Sequence, residues 1–413
     1  MGRDIIIVGA GITGVATAEW LRRDGWKTTL IDPVEPGSPD QTSYGNAGML
    51  ARASFMPVAS ASLVRKAPAM ILDPGSPLYM RWSYLPRLLP WLIPFFRNLA
   101  RDRWVPITEG LAQVTYDCND QHMALARGTG AERHIQRGEC VTLYRREEEY
   151  LSDRLSMETR RKFGIEPRSI DRNELRERDP NLGPAYSFAT VLDDYNWLTS
   201  PGDYVAALFA HYRAQGGSFV KGKVVDLTPG ATPSLILDGG QSLSADKIAL
   251  TAGVWSGPLA KKLGVKVRLT AERGYHLAIR NPAFTAPHPY MVTDAKIVVT
   301  PMENELRGAG MVEFAGIDDP ARDEPVALLR KAFARLYPAL DLVETESWMG
   351  RRPTTPDSLP ILGEASSAPN VLHAYGGQHV GLTIGPKLGR LVADLAAGRT
   401  PNMDLAPYAP DRF

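Results

Sequence analysis

The run Ile5-Ile6-Ile7-Val8, followed at once by Gly9-Ala10-Gly11-Ile12-Thr13-Gly14, constrains the fold more than any other stretch of the chain. A continuous β-branched run reads as a strand buried on both faces of a parallel sheet. Beyond the glycines, Val15, Ala18, Trp20 and Leu21 share the packing side of a helix that Gly25 ends. Thr28-Thr29-Leu30-Ile31 then forms a second strand closing on Asp32. Gly9 permits the tight turn, Gly11 lets the backbone approach a pyrophosphate, and Gly14 lets the helix lie close to the sheet. The first helical turn offers N–H groups and the positive end of its dipole to the phosphates. Asp32 stands 21 residues past Gly11 (32 − 11), where its carboxylate accepts from both hydroxyls of an adenosine ribose and repels a 2′-phosphate. NADP is therefore disfavoured. Strand, glycines, helix and acid agree on a Rossmann-type dinucleotide site, although G-x-G-x-x-G alone does not separate FAD from NAD.

At 413 residues the chain needs two or three domains, and 44% apolar with 23% charged residues is the composition of a globular protein. The balance of 47 basic against 46 acidic side chains creates no long-range field for nucleic acid. Cys118 and Cys140 lie far apart without metal-ligand spacing, so no metal site is expected. A single disulfide between them stays open, but so few cysteines fit a reduced, cytoplasmic protein. Arg3, Ile5–Val8 and Ala16-Thr17-Ala18 imitate a signal peptide. Cleavage after Ala18 would delete the glycine turn, which argues for retention. No uncharged apolar run reaches about 18 residues, and no transmembrane helix is expected.

Four further segments carry chemistry. Gln41–Met49 combines hydroxyls, small residues and glycines, and can pass beneath a ribityl chain and a flat ring. Thr251-Ala252-Gly253-Val254-Trp255-Ser256 follows the strand Lys247–Leu250. Gly350-Arg351-Arg352-Pro353-Thr354-Thr355-Pro356-Asp357 leads into Leu359–Gly363, and Gly376–Thr383 precedes a helix from about Gly385 to Ala397. In this order the segments resemble the D-amino-acid oxidase and dehydrogenase superfamily of FAD-dependent oxidoreductases. Ala47-Gly48 and Asp404-Leu405-Ala406-Pro407 are most similar to its D-amino-acid dehydrogenases of the small-subunit type.

The resemblance implies an α/β fold, with a Rossmann-type FAD-binding domain and a second, α+β substrate domain built on an antiparallel sheet. The interleaved motifs assign 1–80, 197–265 and 346–413 to the FAD domain and 81–196 and 266–345 to the substrate domain. It implies non-covalent FAD, since no cysteine lies near Arg352 and Met49 stands where some relatives place a linking histidine. The implied cofactor-binding residues begin with Gly9, Gly11, Ile12, Thr13, Gly14 and Asp32, and continue with Thr42, Ser43, Asn46, Ala47, Gly48 and Met49. Val224, Val225, Ala252, Gly253, Trp255, Gly350 and Arg351 follow, and the closing loop adds Gly377, Gln378, His379, Val380, Gly381, Leu382 and Thr383.

The implied reaction is oxidative deamination of a small amino acid, a D-amino acid before others, by hydride transfer from the α-carbon to flavin N5. Glycine, sarcosine, cyclic secondary amines such as D-hydroxyproline, and hydroxy acids are the alternatives. Quinone or another electron acceptor completes the cycle. A substrate carboxylate calls for a guanidinium that grips both oxygens, and Arg352 occupies the Gly-x-Arg-Pro position that holds it in relatives. Tyr275, His276 and His379 are the other candidate catalytic residues, with Arg307, Glu313 and Phe314 on a further roof strand. Gly377-Gln378-His379 departs from the His-Gly-His of many relatives and leaves substrate identity open. His122, His134 and His211 read as surface or satisfied core residues. Finally, Pro86, Pro90 and Pro94 interrupt the apolar stretch Trp82–Phe96. It reads as a kinked helix buried on its own domain, or alternatively as an exposed ridge that touches a membrane or quinone pool.

Overall fold

The computed structural model describes every residue except 1, 2, 59–68, 71, 72, 74 and 153. A six-stranded sheet runs in the order Ile361–Ala365, Ala368–Tyr375, Lys247–Leu250, Asp4–Val8, Lys27–Asp32 and Ser218–Lys221. All neighbours are parallel except the hairpin at one edge. Asp4–Val8 lies inside this sheet, and Ile5 to Val8 are buried on both faces, as their unbroken apolar run requires. The helices Ile12–Arg23 and Gly381–Ala396 pack together over one face. The other face meets Leu259, Leu263 and a three-stranded sheet of Val224–Thr228, Ser234–Leu237 and Ser242–Ser244.

The second large sheet is a roof. Its central order is Thr345–Thr354, Thr270–Arg280, Glu305–Phe314 and Ile297–Met302, all antiparallel, continuing through Tyr290–Val292 into Cys140–Tyr144, Phe188–Leu192 and Arg168–Asp171. Parallel pairs occur between Tyr290–Val292 and Cys140–Tyr144 and between Leu78–Met80 and Glu305–Phe314, within a sheet expected to be antiparallel. One roof face is sealed by the helix Glu324–Leu336, whose Leu329, Phe333 and Leu336 pack with Leu277, Ile279 and Leu306. The opposite face looks onto the loop that follows Asp32. The strand Thr345–Thr354, which spans the expected boundary between 345 and 346, pairs along its whole length with Thr270–Arg280. The chain crosses from roof to six-stranded sheet only after Thr354.

Cys118 and Cys140 are buried free thiols, so the open disulfide does not form. The prolines do not break the apolar stretch: Leu85–Arg97 is one helix containing Pro90 and Pro94. Pro86 sits in the first turn, where no donor is needed. Pro94 has no N–H for the Pro90 carbonyl, and Arg268 Nη1 donates to that oxygen at 2.6 Å instead. The helix buries Leu88 and Trp91, while Leu89, Ile93 and Phe96 stand exposed with the preceding Trp82. No helix among the described residues is long and apolar enough to cross a membrane.

Candidate active site

A cavity of about 610 Å³ opens at the C-terminal edges of Asp4–Val8 and Lys27–Asp32, where an open parallel sheet presents ligand sites. Gly9 has φ +99°, and a Cβ on Gly14 would come within 1.7 Å of the Gly9 carbonyl oxygen. The turn and the close helix approach therefore need these glycines. Asp32 Oδ2 accepts from Ala10 N at 2.7 Å and Oδ1 from Val34 N at 3.0 Å. Burial pushes its pKa up against these two N–H groups, and added hydroxyl donors would relieve that cost. Ser43 Oγ accepts from Ile12 N at 3.1 Å and fastens the following loop to the helix start. A glycine-walled cleft, a helix start and an acid at the strand end fit an adenine dinucleotide.

The cavity gathers most of the sequence candidates. Gly9, Gly11, Ile12, Thr13 and Asp32 line it with Thr42, Ser43 and Asn46. So do Val224, Val225, Ala252, Gly253 and Trp255, and from the closing loop Gly377, Gln378, Gly381 and Leu382. Other candidates stand behind the wall. Ala47 O accepts from Thr300 Oγ1 at 2.7 Å, Gly48 O from Leu198 N at 2.7 Å, and Met49 O from Thr383 Oγ1 at 3.3 Å. These residues brace the loop against its surroundings, and Val380 is core. Gly350 is covered by the Trp348 ring, which a Cβ there would meet at 2.1 Å. Lys223, Lys262 and Tyr375 also line the cavity. Sequence reading missed them because no motif distinguishes a lining lysine from a surface one.

Side-chain alternation divides the roof candidates. On Thr270–Arg280, Glu272, Gly274 and His276 share the face turned to the loop after Asp32. His276 Nδ1 lies 2.9 Å from Gly45 O, and its ring stacks on Trp348 at 5.2 Å. A carbonyl only accepts, so Nδ1 carries the proton and Nε2 the lone pair. Burial, reinforced by Arg307, drives the His276 pKa down to about 3 and keeps the ring neutral. Arg307 Nη1 donates to Tyr44 O at 2.8 Å and Asn46 O at 3.0 Å. Trp348 Nε1 donates to Pro39 O at 2.7 Å. Roof and loop are thus joined by backbone carbonyls that no sequence motif marks.

Tyr275 and Arg351 point the other way. Tyr275 is 2% exposed, donates to Glu313 Oε2 at 2.5 Å and accepts from Arg322 N at 3.1 Å. Glu313 also meets Arg273 and Arg81, forming a buried ionic knot behind the roof. Arg351 Nε donates to Ile317 O at 2.6 Å. Strand parity thus removes Tyr275 from the catalytic candidates and the Arg351 side chain from the cofactor cavity.

Arg352 remains on the site face, directly opposite Glu272. Its Nη1 donates to Glu272 Oε1 at 2.8 Å and to Met311 O at 3.2 Å, and Nη2 makes a long contact of 3.4 Å to Gly310 O. A Cβ on Gly274 would fall 2.3 Å from the Arg352 Cζ, so this glycine makes room for the guanidinium. His379 is open to solvent but crowded by its surroundings. Desolvation lowers its pKa, Glu272 opposes that and Arg352 adds to it. Arg352, Glu272 and His379 therefore share one electrostatic environment. Trp91 Nε1 donates to Thr354 O at 3.0 Å and packs on Phe314 at 5.7 Å, bracing this end of the roof.

Residues 4–395 match the family described as DAO, FAD dependent oxidoreductase. The chain belongs to this family. This FAD-dependent oxidoreductase is 36% identical over 419 residues to a D-amino-acid oxidase of Bradyrhizobium diazoefficiens, covering 100% of this chain and 99% of the relative. It is 27% identical over 417 residues to a D-amino acid dehydrogenase of Phenylobacterium zucineum, covering 98% and 96%. Its fold matches glycine oxidase from Geobacillus kaustophilus with a TM-score of 0.75 at 22% identity, covering 99% and 98% of the two chains. Iminodiacetate oxidase from Chelativorans sp. BNC1 gives 0.75 at 18% identity, with 98% of each chain covered. FAD is accordingly the cofactor of this oxidoreductase, and the glycine-walled cavity has the features that an adenine dinucleotide requires.

Proposed function

We propose that this flavoenzyme oxidises a small α-amino acid, of D configuration before others, to an imine that water converts to a 2-oxo acid and ammonia. FAD, when bound, would supply the two-electron acceptor for the α-hydrogen once the substrate nitrogen has given up a proton. The observation that carries the reading is the partly occupied guanidinium of Arg352. Both Nη1 protons are used by Glu272 and Met311, while Nε has no acceptor among the described residues and Nη2 only a long one. That edge matches a carboxylate in a bidentate grip. The full-length similarity to a D-amino-acid oxidase supports the same substrate class. His276, buried and neutral, adds no second fixed positive charge to this face of the roof. The test is anaerobic flavin bleaching with D- and L-amino acids, glycine, sarcosine, D-hydroxyproline and 2-hydroxy acids. Rapid bleaching by small D-amino acids is expected, and bleaching by hydroxy acids alone would overturn the reading. Reoxidation by oxygen or by a soluble quinone then identifies the acceptor.

We further propose that the helix Leu85–Arg97 rests on an anionic membrane surface, where a quinone is at hand and the chain faces the cytoplasm. Trp82, Leu89, Ile93 and Phe96 are 60%, 49%, 54% and 48% exposed, and Arg87, Arg97, Arg101 and Arg103 are exposed around them. An apolar ridge rimmed by arginines suits an interfacial helix. Co-sedimentation with anionic vesicles, lost on changing these four residues to serine, is the expected result; no sedimentation of the parent protein refutes it.

A further inference from the structure

We infer that Glu272 is the counter-charge for the substrate ammonium, so that the pocket accepts zwitterionic α-amino acids and rejects plain carboxylic and 2-hydroxy acids of the same skeleton. This rests on the amino-acid reading above. Glu272 is 4% exposed, and its backbone pairs directly with that of Arg352 across two roof strands. Only one of its oxygens is engaged: Oε1 meets Arg352 Nη1 at 2.8 Å, while Oε2 has no hydrogen-bond partner among the described residues. Alternation places it on the same face as Gly274 and His276, away from the ionic knot of Arg273 and Glu313.

A buried ion pair is weak evidence for a stabilising role, because desolvation of both charges offsets their attraction. A role in recognition accounts better for a half-used carboxylate. In an α-amino acid the ammonium and carboxylate are separated by one carbon, about 3 Å from nitrogen to oxygen. A ligand carboxylate on the Nε and Nη2 edge of Arg352 brings its ammonium within reach of Oε2. The local charges, Arg352 positive, Glu272 negative, and His276 neutral, then match a zwitterion of zero net charge. Arg307, the next cation on this face, is held by Glu305 at 2.7 Å. A ligand lacking the ammonium places an uncompensated negative charge beside Glu272, and like charges side by side suppress the wrong ligand.

The test uses the FAD-loaded protein, with D-alanine, D-lactate and propionate as probes. Anaerobic rapid mixing gives the apparent Kd and the limiting reduction rate for D-alanine, and flavin absorbance perturbation gives the Kd of the two acids. The parent protein is expected to prefer D-alanine over propionate at least about tenfold. Glu272→Gln should raise the D-alanine Kd about tenfold or more while propionate and D-lactate bind as well or better. Glu272→Asp, which keeps the charge, should restore the preference. Equal weakening of all three ligands would mean that Glu272 acts only through Arg352, and would overturn the inference. So would a variant unchanged for all three, or a parent protein without the preference, a measurement that needs no variant to fold. Reduction without charge preference defeats this inference alone; no reduction by any amino acid defeats it together with the amino-acid reading.

Discussion

The two sides of the site are built on different principles. The nucleotide side is made largely of backbone: glycines that clear space, a helix start that offers N–H groups, and one carboxylate held by Ala10 and Val34. The roof side is made of side chains whose meaning depends on which way they face. Glu272, His276 and Arg352 share the roof face turned to the loop after Asp32, outside the lining of the nucleotide cavity itself, whereas their strand neighbours Arg273, Tyr275 and Arg351 lock the back of the sheet. A backbone site fails when space is filled; a side-chain site fails one residue at a time and leaves the cofactor in place.

The largest expected effect breaks the backbone side. Gly14→Val puts side-chain atoms where the Gly9 carbonyl oxygen lies, 1.7 Å from the first added carbon. The purified variant should carry no flavin absorbance, and a yellow protein with normal flavin content would contradict the account. Next, Arg352→Ala should lower kcat/KM for a carboxylated substrate about a hundredfold, or about 3 kcal/mol, as for removal of one partner of a buried charged contact. FAD should remain bound. Arg351→Ala, on the reverse face, should stay within a few-fold of the parent; equal losses would erase the distinction between the faces.

Acid should weaken both sides. His122, on a helix packed near the six-stranded sheet, and His373, within its strand Ala368–Tyr375, are pushed down to about 4 by burial, and His276 on the roof to about 3. All three are buried neutral, so the unfolded chain, titrating near 6.5, takes up protons first. Their stability contribution is complete above about pH 6.5 and is lost as pH falls towards about 4. Each costs about 2 kcal/mol by pH 5, and denaturant unfolding across this window measures the slope. A flat profile from pH 7 to pH 5 would show that these rings are not buried neutral. The smallest effect belongs to Tyr275→Phe. It removes the hydrogen bond to Glu313 and the acceptor of Arg322 N, together worth about 2 kcal/mol of stability, and should leave kcat/KM within about twofold. A large kinetic loss without loss of stability would return Tyr275 to the site.

This division also explains what the sequence made legible. Gly9, Gly11 and Asp32 are readable because the backbone geometry they serve admits few other residues. The motif positions around Ser43, Gly253 and Gln378 reach the cavity wall for the same reason. Tyr275 and His276 had to face opposite ways, but their residue types did not say which way. The back of the roof holds a buried ionic knot rather than plain hydrocarbon, so Arg273 and Tyr275 look no less like site residues than Glu272 and His276. Trp348 and Glu272 were missed because a tryptophan or a glutamate in a strand carries no local signature; only the register with His276 and Arg352 gives them a role. The continuous helix through Pro90 and Pro94 depends on Arg268, distant in sequence, which fills the carbonyl that Pro94 leaves bare.

The threading of the chain limits how such an enzyme changes in evolution. Strands of the six-stranded sheet come from residues 4–32, 218–250 and 361–375, and the roof strands occupy the intervals between them, with Thr345–Thr354 running straight on towards Ile361. Neither half exists as one continuous cassette, yet every roof strand that carries Glu272, Arg307 or Arg352 falls within the single interval 270–354. Exchange of that interval would carry those residues across together and leave the glycine turn and Asp32 behind, and the strand neighbours that hold the back of the sheet would travel with them.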